Sequence, residues 1–417
     1  MAGVRKGVIG FFTANRAVFI MGMSALIIAG SADLFAGLLL NQMTDYLYLI
    51  PGMMILIYAA IGMRGNIFGA MGSRIGTAMN MGTFEMSFRK GTALRANVDG
   101  TITLTLLMSV LMGFAAWAIA ILFFNGTQSV WDFVFISTLG GFLAGIIVMM
   151  VNILIAWEGN RREWDVDNIT APLIAAVGDI VTMPMIFFAT WIYLRVGTGA
   201  AGEELIAYLS LAMIAVTLAL TAWVIHQRGG RRDYIGEARR ITLQSFPVLF
   251  GCLFFEIGAG IVIQGEQTSL VTYGVLMIML PAFLNEGNAL SGMLTSRLSS
   301  KIHLGTIRPT GIPARPALED FVVMYICALV TFTYIGLISY GAAFLTAEAN
   351  TGFLTTMIII IVAGLLTTTA LNLLSYYVAI ITTRFGLDPD DHSIPITSSV
   401  MDLVGSLILV AVIAVFI

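Results

Sequence analysis

Apolar residues run along this chain in long uninterrupted blocks, and eleven of the blocks are long enough to cross a bilayer as helices. A membrane span needs about 20 mostly apolar residues to traverse roughly 30 Å of hydrocarbon. The blocks fall near residues 17–40, 46–72, 102–124, 131–156, 169–194, 205–227, 242–264, 270–296, 320–345, 353–382 and 394–416. The second and eighth are the least uniform. The basic residues between the blocks give a direction. With a cytoplasmic N-terminus, 19 of the 21 Lys and Arg residues fall on inner segments, from Arg5, Lys6 and Arg16 through Arg74, Arg89, Lys90, Arg95, Arg161 and Arg162 to Arg228, Arg231, Arg232, Arg239, Arg240, Arg297, Lys301, Arg308, Arg315 and Arg384. Arg195 alone falls outside, and Arg64 lies within a span. The bias of basic residues toward the cytoplasm then predicts an inner N-terminus and an outer C-terminus. The first block lacks a small-residue cleavage site, which predicts an uncleaved first span.

A shift of 223 residues lays the unusual polar positions on one another. Ser73 and Arg74 meet Ser296 and Arg297; Gly82 and Thr83 meet Gly305 and Thr306. Asp165, Asp167, Pro172, Val177 and Asp179 meet Asp388, Asp390, Pro395, Val400 and Asp402, and Asp33 meets Glu256. With a one-residue slip, Gly65-Asn66 meets Gly287-Asn288. The expected fold is therefore an all-α polytopic membrane protein of eleven transmembrane helices, with two parallel five-helix repeats joined by one extra span. Residues 1–200 form the first repeat, 201–240 a linking span with a basic loop, and 241–417 the second repeat. Five spans reverse the side of the membrane, so the extra one near 205–227 restores a common orientation, and sites in such folds tend to lie between the repeats near the midplane.

Composition agrees: 58% of the 417 residues are hydrophobic and 11% are charged, against roughly 25% charged in soluble chains. Lipid must solvate most of this surface, while the net charge of −3 decides little. Cys252 and Cys327 sit inside apolar runs and read as packing residues. There is no phosphate-cradling glycine loop, no nucleophile–base constellation and no aromatic-basic nucleic-acid surface, which argues against an enzyme and against a nucleic-acid partner. His226, His303 and His392 form no metal cluster, and the 24 methionines are spread through the spans as packing.

Carboxylates inside hydrocarbon cost about 2.5–3.5 kcal/mol each on the lenient insertion scale. Asp179 lies about ten residues into its span, roughly 15 Å along the axis and close to the midplane, and Asp402 is its counterpart. If the repeats face each other, the two acids repel unless a cation or a proton intervenes, and a hard divalent cation such as Mg²⁺ takes oxygen ligands. Helix capping or bonds from nearby hydroxyls are the structural alternative. Asn66 and Asn288, each behind a glycine that would loosen the helix, offer amide and carbonyl oxygens to a partly hydrated cation, or serve as interhelical hydrogen-bond partners. Asp33 and Glu256, in the outer thirds of their spans, suit an acidic entry or ordinary interhelical contacts. The expected order from outside to inside is Asp33 and Glu256, then Asp179 and Asp402, then Asn66 and Asn288. Arg64 and Glu286 hold matching positions with opposite charge, to pair across the axis or to gate the inner mouth. Asp165, Asp167, Asp388 and Asp390 suit helix N-caps or a peripheral cation site.

The segments PGMMILIYAAIGMRGNIFGAMGSRIGTAMNMG and PAFLNEGNALSGMLTSRLSSKIHLG, with DVDNITAPLIAAVGDIVT and DPDDHSIPITSSVMDLVG, resemble the paired signatures of the solute carrier family 41 magnesium transporters, two-domain relatives of the bacterial MgtE channels. The likeness covers nearly the whole chain. It implies a central pore between the halves, Mg²⁺ as the transported ion held at Asp179 and Asp402, and backbone carbonyls at Ala175 and Ser398 as contributors beside the Gly-Asn asparagines. It also implies a multi-pass protein of the cell membrane that works as a monomer, since two repeats replace a homodimer; the chain departs from MgtE in leaving no room for a cytosolic regulatory domain. Three readings stay open: a Mg²⁺ channel or transporter, with an ion-coupled (Na⁺ or H⁺) exchanger of divalent metal as its variant; a secondary transporter of an organic solute; and a non-transporting receptor or assembly factor.

Overall fold

The computed structural model describes residues 18–162, 166–227, 236–307, 310–385 and 394–417. A π-helical turn, Val18–Gly22, leads into α1 (Met23–Gln42), followed by a short α2 (Thr44–Leu49) and then α3 (Met53–Asn80), α4 (Ala93–Phe124), α5 (Val130–Arg162) and α6 (Val166–Val196). The linking α7 (Gly199–His226) precedes α8 (Glu237–Gly265), a short α9 (Gln267–Thr272), α10 (Gly274–His303), α11 (Arg315–Leu345), α12 (Phe353–Phe385) and α13 (Ile394–Phe416). No strand occurs among the described residues. The eleven long helices correspond to the eleven expected spans. Ten are apolar enough to cross a membrane; the exception is α10, which carries Glu286, Arg297 and Lys301.

The two least uniform blocks turn out to be broken. The run at 46–72 is interrupted before α3, where Ile50 is held extended ahead of Pro51 and Gly52 takes a left-handed φ of 91° as the N-cap. A residue preceding proline is pushed out of the helical region, and only glycine enters the left-handed one without strain. In the second repeat Tyr273 makes the matching break between α9 and α10. The expected loosening at the Gly-Asn pairs does not occur, because α3 and α10 run through residues 65–66 and 287–288 unbroken. The third block begins earlier than its apolar run, at Ala93, because Arg95 and Asp99 pair one turn apart at 2.8 Å and extend the helix beyond its apolar part.

Packing between the repeats follows the 223-residue shift closely. The first helix of each repeat leaves its own second and third helices and packs on those of the other repeat: α1 lies against α10 and α11, and α8 against α3 and α4. Each keeps contact with the last helix of its own repeat, α6 and α13 respectively. Glycines make both exchanged crossings tight. A Cβ on Gly260 would stand 2.7 Å from Ile55 Cα and 3.0 Å from its carbonyl oxygen, and one on Gly37 would overlap the Ile278 carbonyl. Gly37 and Gly260, like Ile55 and Ile278, are 223 apart. Linker α7 is peripheral: 17% of its most apolar stretch is buried, against 39–72% for the other nine such helices.

Candidate cation site

The exchanged helices carry Asp33 and Glu256 to the seam between the repeats. Asp33, on α1, is 1% exposed and accepts a 2.6 Å hydrogen bond from Asn285 Nδ2 on α10. Glu256, on α8, is equally buried. It accepts 2.7 Å from Ser399 Oγ of α13 and 3.4 Å from Asn66 Nδ2 of α3, while Asn66 Nδ2 also reaches Ser399 Oγ at 2.8 Å. Asp402 accepts 2.8 Å from Asn288 Nδ2.

The four acids form a connected line. Asp33 stands beside Asp179 and Glu256 beside Asp402, and the charges of Asp179 and Asp402 act on one another. The three levels expected from the sequence therefore touch rather than stack apart. The retained contacts of α1 with α6 and of α8 with α13 bring the entry acids against the central ones, and the asparagine amides point at the same carboxylates. Among the described residues, no three His, Cys, Asp or Glu side chains converge on one point, so the arrangement is two opposed carboxyl pairs rather than a compact cage. Three oxygens along it are buried without a donor: Asp33 Oδ1, Asp402 Oδ2 and Asn288 Oδ1. Free lone pairs beside paired carboxyls suit a cation that retains part of its water shell, as Mg²⁺ does.

The two halves are not equivalent. Ser399 stands where the first repeat has Ala176, and both asparagines serve the acids of the second repeat. Neither Ser399 nor Asn285 was singled out from the sequence. Asn285 had a signal, since the 223-residue shift sets this polar residue opposite Gly62. Ser398, the neighbouring position expected to contribute a carbonyl, is half-buried on α13. Ala175 is on α6, but its side chain and that of Asp167 are not described. Asp165, Asp388 and Asp390 lie outside the described residues, as do the basic residues Arg5, Lys6, Arg16, Arg228, Arg231, Arg232 and Arg308.

Arg64 and Glu286 do not meet. Arg64 turns into the first repeat, donating to Thr182 Oγ1 at 3.1 Å and to the Gly141 carbonyl at 3.2 Å. Glu286 turns into the second, in contact with Thr331.

Against known proteins, the chain matches the MgtE family model, described as a divalent cation transporter, twice: over residues 57–189 and 280–412. The two matches are themselves 223 residues apart. It is 23% identical to solute carrier family 41 member 2 of Xenopus laevis over 414 residues, covering 92% of this chain and 69% of that protein. The mouse member 2 is 24% identical over 303 residues, covering 70% of this chain and 49% of that protein. Mouse member 3 is 20% identical over 288 residues, covering 67% and 55%. The chain thus spans about half the length of these mouse relatives. No solved structure matches it.

Proposed function

Because the chain belongs to the MgtE family of divalent cation transporters, we propose that it carries Mg²⁺ across a cell membrane along the seam between its two repeats, with Asp179 and Asp402 as the central ligands. The observation that carries this reading is the buried line of four acids crossing the seam, with Asp179 and Asp402 at its middle. Carboxylates this close and this dry are repelled from one another unless positive charge lies between them. An ion there meets Asp33 Oδ1, Asp402 Oδ2 and Asn288 Oδ1 as open acceptors. Asn66, Asn285 and Ser399 hold the acids from behind, and the carbonyls of Ala175 and Ser398 are further contributors. Hard oxygen donors suit Mg²⁺ and Mn²⁺ alike. The working unit is one chain, with its basic helix ends toward the cytoplasm and its N-terminus on that side.

The test is flux into liposomes loaded with a Mg²⁺-sensitive dye. Wild type is expected to admit Mg²⁺, and Asp179→Asn and Asp402→Asn each to abolish most of that flux. Undiminished flux in both variants removes the site from the seam.

A second reading concerns coupling. The two carboxyl pairs, Asp33 with Asp179 and Glu256 with Asp402, favour a cycle in which the divalent ion exchanges against protons rather than moving alone. An outward proton gradient imposed in the same liposomes drives Mg²⁺ uphill under this reading and leaves a simple channel at equilibrium.

A further inference from the structure

Linker α7 rests on α4 and α5, and near its C-terminal end a cleft of about 300 Å³ opens between it and α4. Ile102 of α4 and Leu220 and Trp223 of α7 form apolar walls. Arg95 and Asp99, paired at 2.8 Å, stand at the end nearest the start of α4. Trp223 is 47% exposed and the Arg95 side chain 39%, so the cleft opens on the outer surface of the bundle, which lipid covers.

The charge around its mouth is positive. Thr92 Oγ1 donates to the Ser87 carbonyl at 2.6 Å and to that of Arg89 at 2.9 Å. Those bonds tie the turn carrying Phe88, Arg89 and Lys90 to the start of α4. The first turn of α8 reaches the same edge, because a Cβ on Gly100 of α4 would stand 2.9 Å from Ile241 and 3.5 Å from the Ala238 carbonyl. That turn brings Arg239. Arg89, Lys90 and Arg239 are all exposed, and among the described residues no carboxylate pairs with any of them. The matching positions of the second repeat, which has no linker against it, hold Ile312, Pro313, Leu318 and Val322 in place of Arg89, Lys90, Arg95 and Asp99. These charges go with the cleft and not with the repeated fold.

We infer that the cleft between α4 and α7 holds one anionic phospholipid, with its phosphate on Arg95 and an acyl chain between Ile102 and Leu220. Apolar walls open to the bilayer take a hydrocarbon chain, and a guanidinium at one end binds phosphate oxygens in pairs. A phospholipid carries both parts. Trp223 suits the headgroup level, where tryptophan collects. The unpaired cations favour an anionic headgroup over a zwitterionic one, whose ammonium they repel, as in other basic pockets between membrane helices. Bound there, the lipid joins the peripheral linker to the first repeat. It makes no use of the seam.

Trp223 reports its own neighbour. Purified full-length protein is placed in phosphatidylcholine vesicles containing a small fixed fraction of lipid brominated along its chains, either phosphatidylglycerol or phosphatidylcholine. Bromine quenches tryptophan on contact, and the part due to Trp223 is the difference between wild type and Trp223→Phe. Brominated phosphatidylglycerol is expected to quench Trp223 several-fold more strongly than brominated phosphatidylcholine. That preference should vanish in Arg95→Gln and shrink in the double variant Lys90→Gln with Arg239→Gln. Inorganic phosphate at matched ionic strength should leave it unchanged. Equal quenching by the two lipids overturns the proposal, since Trp223 then meets bulk lipid alone. So does a preference that survives both sets of substitutions, or one that inorganic phosphate abolishes, which makes the site one for a free anion. Arg95 also extends α4, so the double variant carries the comparison should Arg95→Gln fail to fold.

Discussion

The carboxyl group of Glu256 fills the space where a side chain at position 62 would stand: a Cβ added to Gly62 meets both Glu256 oxygens and their carbon. In the other half of the molecule the same pair of positions holds Asp33 and Asn285, joined by a 2.6 Å hydrogen bond. One half sets a long acid against a residue with no side chain, and the other sets a short acid against an amide. The two solutions place a carboxylate at the seam from either side.

That relationship predicts an exchangeable pair. Gly62→Ala forces a methyl into the Glu256 carboxyl, and overpacking of this kind costs about 1–3 kcal/mol. Mg²⁺ flux in the liposome assay is expected to fall sharply. The double variant Gly62→Asn with Glu256→Asp rebuilds the Asn285–Asp33 arrangement in the opposite half and should recover most of it. Equal loss in the single and double variants would show that the fit between these two positions is not what matters.

Asn285→Leu removes the donor to a carboxylate that is already short of one, leaving both Asp33 oxygens unsatisfied. Stranding a buried polar group costs about 1–3 kcal/mol. The unfolding midpoint of the purified protein should drop, and added Mg²⁺ should recover part of the drop by supplying the missing positive charge. A midpoint matching wild type argues against the bond.

Arg64 donates to Thr182, three residues beyond Asp179 on α6. Replacing it by Gln keeps a donor for Gly141 and Thr182 but discards the charge. A unit charge within roughly 8–16 Å is worth about 1–2 kcal/mol at an effective dielectric of about 20. Half-saturating Mg²⁺ should therefore fall, on the order of tenfold, when read by concentration-dependent flux. An unchanged value would mean that the guanidinium acts only as a brace.

Asp320, 1% exposed, holds Arg297 at 2.5 Å and Lys301 at 2.7 Å where α10 meets α11. The corresponding contact in the first repeat joins Arg74 to Asn97 at 2.8 Å. Asp320→Ala breaks a buried ion pair at a cost of about 3 kcal/mol and should lower the unfolding midpoint. Asp320→Asn, which copies the first repeat, should lower it less. If the two variants melt together, the charge rather than the hydrogen-bonding shape carries the contact.

The long helices and their duplication were readable because apolar length and the recurrence of rare polar residues survive in a linear string. The acids of the seam were readable for the same reason, since a carboxylate in an apolar run stands out. What packs against what was not. Gly37 and Gly260 announce close contacts but do not say with which helix, and an apolar face buries equally well against its own repeat or the other. The exchange of α1 and α8 was hidden for that reason, as was the placing of Asp33 beside Asp179. Asn285 lay beside the more conspicuous Glu286, and Ser399 one residue past the expected Ser398. Both became meaningful only when crossing helices gave them a partner.

The exchange of first helices bears on how such a chain relates to a pair of subunits and on what can be done to it. Two subunits that each lend a helix to the other are already interlocked, so a single chain of this form differs from such a pair in its number of ends and not in its architecture. By the same logic, a gene divided between the codons for α7 and α8 should yield two polypeptides that find each other and reassemble. Neither fragment would be complete by itself, because the helix that packs on its second and third long helices belongs to the other.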